Sequence, residues 1–126
     1  MMKLSLMKDV METISESGES ELANRLLTAW LTTPEAVKFF RASANVVFTF
    51  TKAHHSYVLR FNHESERSAE EIRAEMTYLQ HLVSAGIYIA RPVRSIAGRY
   101  VESMETPLGI FHSVVFEKNC WSTTKY

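Results

Sequence analysis

Arg60 and Glu75 are charged residues at positions where the surrounding pattern calls for carbon. Arg60 belongs to the run Tyr57-Val58-Leu59-Arg60-Phe61. Side chains alternate along a strand, so Arg60 shares a face with Val58 and opposes Tyr57, Leu59 and Phe61. Glu75 comes three residues after Ile72, four before Leu79 and seven before Leu82, within or beside the apolar stripe of a helix. A carboxylate there calls for a cation, and a helix packed over the strand would bring the two together. Burying an ion pair roughly breaks even in free energy, so such a pair suits the positioning of a guanidinium better than the stabilising of a fold. An anion such as phosphate is the matching ligand. Spacing alone leaves a second reading open, in which Arg60 is solvated at a strand end and Glu75 reaches water from the helix boundary.

Other residues with chemical potential are weaker. Ser43-Ala44-Asn45 is a small-residue loop that could lie over a phosphate, although asparagine in a hairpin commonly serves by tolerating a left-handed backbone. His54 and His55 are adjacent and so point to opposite faces of a strand. With no carboxylate or cysteine at ligand spacing, they read as a solvated hairpin tip. His63, His81 and His112 are scattered, and no serine, histidine and aspartate arrangement marks a nucleophile. The single cysteine, Cys120, excludes an intrachain disulfide and a cysteine-rich zinc site, and reads as inert. The 14 basic and 14 acidic side chains give a formal net charge of +0, with no field to draw the chain onto nucleic acid or an anionic membrane. No apolar run approaches the roughly 20 residues of a membrane span, and residues 1–10 are too short and too charged for a signal-peptide core. A cytoplasmic setting, with no nucleic-acid or membrane partner, is the expectation.

The elements that must position Arg60 and Glu75 follow from periodicity. Leu4, Met7, Val10, Met11 and Ile14 space like one helix face, and the break at 15–20 contains Gly18. Leu22, Leu26, Leu27, Trp30 and Leu31 predict a second helix over 20–31, capped by Ser20 and stopped by Thr32-Thr33-Pro34. Three β-branched and aromatic runs at 37–40, 46–50 and 57–61 predict consecutive antiparallel strands. A long helix over 68–85 follows, with Ser68 and Glu71 as a capping box and Gly86 as the stop. Short strands are predicted at 91–96, 99–102 and 110–118, with turns at Ala97-Gly98 and Pro107-Leu108-Gly109. The fold class is α+β, a twisted antiparallel sheet of five or six strands with one packed long helix and an N-terminal helical extension.

This order of parts resembles a protein-kinase-like N-terminal lobe. The segments Phe39-Phe40-Arg41-Ala42-Ser43-Ala44-Asn45-Val46-Val47, Tyr57-Val58-Leu59-Arg60, Glu75-Met76-Thr77-Tyr78-Leu79, Gly86-Ile87-Tyr88-Ile89-Ala90-Arg91-Pro92-Val93 and Val114-Val115-Phe116-Glu117-Lys118 are similar to the aminoglycoside phosphotransferase and homoserine-kinase-type family. The resemblance covers roughly residues 36–118. It implies that Ser43, Ala44 and Asn45 form the loop above the phosphates of ATP, without the glycines of protein kinases. It places Arg60 where the family has its phosphate-binding strand cation and makes Glu75 its helix partner. Val47 and Val58 would roof the adenine, and the backbone of Phe116, Glu117 and Lys118 would form the hinge edge that hydrogen-bonds it.

The family's chemistry resides in a second lobe whose aspartates orient the acceptor hydroxyl and hold magnesium. Asp9 is the only aspartate in this sequence, and the catalytic loop pattern is missing. The expectation is a truncated, ATP-dependent small-molecule phosphotransferase, inactive alone, in which Mg2+ binding awaits the missing lobe. Its parts would be a helical extension at 1–34, a nucleotide-binding lobe at 35–118 and a divergent tail at 119–126. The alternative is a stand-alone interaction or nucleotide-binding module, or one half of a split kinase. Its partner would be a complementary lobe on another chain, or a second copy joined through an exposed hinge face at Val114, Val115, Phe116 and Trp121.

Overall fold

The computed structural model describes residues 4–15, 20–31, 37–42, 45–87 and 89–117. Ser43, Ala44, Lys118 and the tail at 119–126 lie outside these. The elements run α1 (Leu4–Glu12), α2 (Glu21–Leu27), β1 (Lys38–Ala42), β2 (Val46–Lys52), β3 (His55–His63), α3 (Ala69–Ser84), β4 (Arg91–Val93), β5 (Glu102–Thr106) and β6 (Gly109–Glu117). The strands form one six-stranded antiparallel sheet in the order β1-β2-β3-β6-β4, with β5 also paired to β6. No helix among the described residues is long and apolar enough to cross a membrane.

The sheet has two unlike faces. Val46, Phe48 and Phe50 of β2, Leu59 and Phe61 of β3, and Phe111 and Val115 of β6 point to one side. There they pack against Val10 of α1 and Leu22, Ala23, Leu26 and Leu27 of α2. The Phe61 ring stacks on Phe48 at 5.9 Å between centroids and meets Phe111 edge-on at 5.5 Å. Alternation sends Val47, Val58, Val114 and Phe116 to the other side, where they cluster with Ile72 and Met76 of α3 and with Ala90 and Val101.

Local signals explain most boundaries. The Ser68 hydroxyl accepts from the Glu71 N–H while the Glu71 carboxylate accepts from the Ser68 N–H, the reciprocal arrangement of a capping box. Gly86, at φ +81°, stops α3. Ser20 caps α2 by accepting from the Ala23 N–H. Ala53 and His54, both at positive φ, form the two-residue turn between β2 and β3, and His54 and His55 are exposed at its tip. Gly109, at φ +113°, begins β6 beside the His63 ring, which a Cβ at that position would strike.

Three expectations are corrected. The helix predicted over 20–31 ends at Leu27: the Thr28 and Trp30 N–H groups bond three residues back to Arg25 and Leu27, and the chain turns. Trp30 then anchors that turn to β4 by donating from Nε1 to the Val93 carbonyl at 2.9 Å. The strands predicted at 91–96 and 99–102 are instead β4 at 91–93 and β5 at 102–106. Between them a loop closes through hydrogen bonds from the Ser95 N–H to the Arg99 carbonyl and from the Gly98 N–H to the Ser95 carbonyl. Finally, Val114, Val115 and Phe116 are buried and form no exposed hinge face, because Val115 packs in the cluster with α1 and α2 and Val114 and Phe116 pack in the cluster with Ile72 and Met76 of α3.

Candidate functional site

The capping box starts α3 at Ala69, and its helical register then carries Glu75 over β3. Two parallel hydrogen bonds join the side chains: Arg60 Nη1 donates to Glu75 Oε2 and Nη2 to Oε1, both at 2.9 Å. This bidentate geometry fixes the guanidinium plane as well as its position. A third bond comes from Arg67, just before α3, whose Nη1 donates to Glu75 Oε1 at 2.7 Å. Burial alone would push the Glu75 carboxyl up. The hydrogen bonds and charge of Arg60, then of Arg67, outweigh it and hold the carboxyl below its ordinary value.

Arg60 itself is 4% exposed. Its guanidinium carbon lies 5.3 Å from the Phe116 ring centroid, within cation–π range. Its Nε–H is buried and has no hydrogen-bond partner among the described residues. Glu75 therefore holds the guanidinium by its two terminal nitrogens and leaves the Nε donor uncommitted.

Of the residues expected to bind nucleotide, β2 and β3 bring Val47, Val58 and Arg60 to the α3 face. In the sheet register Val47 is opposite Arg60, and Val58 is opposite Phe116. Asn45 stands one residue before β2, and Glu117 ends β6 with its side chain exposed. Val47, Val58 and Phe116 are covered along with Arg60, so this face is packed in the structure. A groove of about 660 Å³ lies elsewhere, between α1, α2 and the β5–β6 turn. Another of about 380 Å³ lies beside α3, lined by Arg73, Thr77 and residues 98–101. Neither is lined by Arg60. Asp9, the sole aspartate, lines the first groove.

Sequence reasoning missed three polar residues beside Arg60. Arg67 sits just ahead of the capping box, where a basic residue looks like ordinary surface. Asn62, 1% exposed, shares the Arg60 face, and its Nδ2 donates to Asn45 Oδ1 at 2.8 Å. His112 is opposite Asn62 in the sheet and is buried; its Nδ1 lies 2.7 Å from Ser103 Oγ and its Nε2 3.4 Å from Glu64 Oε1. The available signal was parity along the strand: residue 62 follows 58 and 60 on one face, and pairing places residue 112 beside it.

The comparisons with known proteins agree with this fold. Amicoumacin kinase of Bacillus subtilis (strain 168) is 33% identical over 85 residues, which are 67% of this chain and 25% of that protein. The chain thus spans about a quarter of that relative's length. A solved amicoumacin kinase, in complex with AMP-PNP, Ca2+ and Ami, superposes with a TM-score of 0.72 at 30% identity, over 90% of this chain and 34% of that one. A microcompartment-associated aminopropanol kinase shares the fold, with a TM-score of 0.69 at 21% identity over 78% of this chain and 31% of its own. Residues 19–114 match the phosphotransferase enzyme family, and the chain belongs to that family.

Proposed function

We propose that this chain supplies the nucleotide-binding lobe of an ATP-dependent phosphotransferase acting on a small-molecule hydroxyl, with residues 35–118 as that lobe, 1–34 as its helical extension and 119–126 as a tail. The observation that carries this reading is the Arg60 guanidinium, clamped through Nη1 and Nη2 by Glu75 while its buried Nε–H has no partner among the described residues. A buried, unpaired donor on a fixed cation is unfavourable for the fold alone, and a phosphate oxygen is a fitting acceptor. The relative solved with AMP-PNP supports the same ligand class.

ATP would supply the phosphoryl group. Arg60 would hold its phosphates beneath the Ser43-Ala44-Asn45 loop, Val47 and Val58 would contact the adenine, and the backbone at Phe116, Glu117 and Lys118 would hydrogen-bond its edge. Because Arg60, Val47, Val58 and Phe116 are covered in the structure, a nucleotide has to part this face from what covers it, and binding to the chain alone is correspondingly weak. Phosphoryl transfer also requires carboxylates that hold metal and orient the acceptor. The sequence offers one aspartate, Asp9, in α1, and α1 packs against the opposite sheet face through Val10. The chain by itself is therefore expected to bind nucleotide without transferring phosphate.

Calorimetric titration of the chain with magnesium-ATP tests this reading. Saturable binding that disappears in Arg60→Ala, with the variant still folded by circular dichroism, is the expected result. No binding to the unsubstituted chain, or equal binding to the variant, contradicts it.

A further inference from the structure

We infer that Asn62 is a positioning residue for the phosphate groups, acting through Asn45; the inference rests on the nucleotide reading of the Arg60 face. Asn62 comes two residues after Arg60 on the same side of β3, roughly 7 Å further along the strand. It is 1% exposed, in a place where the pattern of Val58, Val47 and Val114 would admit carbon. A buried side-chain amide is tolerated only with hydrogen-bond partners. One of its partners is the side chain of Asn45, 2.8 Å away and 17 residues earlier in the chain.

That partner sits at a telling place. The β2–β3 ladder ends at the pair Val46 and Phe61, so Asn45 is the last residue of the β1–β2 loop before the sheet takes over. A glycine-rich loop over phosphates works because its bare backbone can approach the anion closely. Ser43-Ala44-Asn45 contains no glycine, so it lacks the residue type on which that approach depends. The Asn62 to Asn45 bond ties the end of this loop to the strand that bears Arg60. The two phosphate-directed parts of the site are then held to one another by a side-chain bond as well as by backbone pairing. His112, opposite Asn62 in the sheet and itself bonded to Ser103, backs the amide from β6.

The test compares ADP with adenosine on the 126-residue chain and on Asn62→Ala, Asn45→Ala and the double variant, with thermal melts in parallel. Asn62→Ala is expected to weaken ADP about fivefold, which is about 1 kcal/mol at 1.4 kcal/mol per tenfold, and to leave adenosine unchanged. The double variant is expected to lose no more ADP affinity than Asn45→Ala alone, because both substitutions break one interaction. Equal losses for ADP and adenosine, losses that add in the double variant, or unchanged ADP binding overturn the inference. If Asn62→Ala does not fold, Asn45→Ala decides by the same contrast between the two ligands. ADP failing to bind the unsubstituted chain overturns the nucleotide reading and this inference together. ADP binding that is indifferent to both asparagines overturns this inference alone.

Discussion

The two faces of the sheet are built from the same strands by alternation, yet they carry different kinds of side chain. The face under α1 and α2 is hydrocarbon and aromatic ring, with Phe48, Phe61 and Phe111 fully buried. The face under α3 mixes valines with a guanidinium, a carboxylate, an amide and an imidazole, all at least partly buried. Burial of those polar groups yields little net stability. Their gathering on one face, beside a helix whose start is fixed by a capping box, is the asymmetry on which the proposed nucleotide reading rests.

Substitutions can break this contrast, beginning with the apolar face. Phe61→Ala removes a ring packed on two others and is expected to destabilise by roughly 3–5 kcal/mol. Against a total of about 5–15 kcal/mol for a domain, that approaches unfolding. A large drop in the urea midpoint checks it, and a small one would show that this face is not the main source of stability.

Glu75→Gln is expected to cost about 2 kcal/mol, because it weakens two charge-assisted bonds and leaves the buried Arg60 charge poorly compensated. Its pH dependence has a definite sign. The Glu75 carboxyl is held below its ordinary value of 4.5 in the folded chain, so its contribution is present above that value and is lost as pH falls through the lower folded one. The difference in melting temperature between the parent and Glu75→Gln should therefore narrow as pH falls below 4.5. A constant difference would contradict the ion pair.

Ser68→Ala should cost about 1 kcal/mol by opening the capping box. It should also weaken nucleotide binding slightly, since α3 carries Glu75. The smallest stability effect belongs to Arg60→Met combined with Glu75→Leu. Replacing the pair by apolar side chains of similar size is expected to leave stability within about 1 kcal/mol or raise it, while nucleotide affinity is lost. A double variant that unfolds would show that the polar face supports the fold after all.

Much of this arrangement was legible in the sequence. The Ser68 and Glu71 box, the helix face of Glu75 and the strand parity of Arg60 each rest on local rules, and together they anticipate a contact across 15 residues. Where local rules are silent, the reading failed. β5 reads Glu-Ser-Met-Glu-Thr, with Met104 its one apolar side chain, and pairing to β6 rather than propensity makes it a strand. Asn62 looks like the polar end of a strand until the fold shows it buried, paired with His112 of β6. The burial of Val114 and Phe116 depends on α3, Ala90 and Val101 packing on their face of the sheet, a tertiary property that periodicity does not encode.

The central claim is that the Arg60 face receives nucleotide phosphates. The most direct measurement is a two-dimensional amide NMR spectrum of the 15N-labelled chain with and without excess magnesium-ATP. The account predicts dispersed peaks, with shifts concentrated at Asn45, Val47, Arg60 and Phe116 and little change at Leu26 of α2 and at Phe48, which packs beneath the N-terminal helices. A dispersed spectrum in which the Arg60 face does not move, or in which the helical face moves instead, would contradict it.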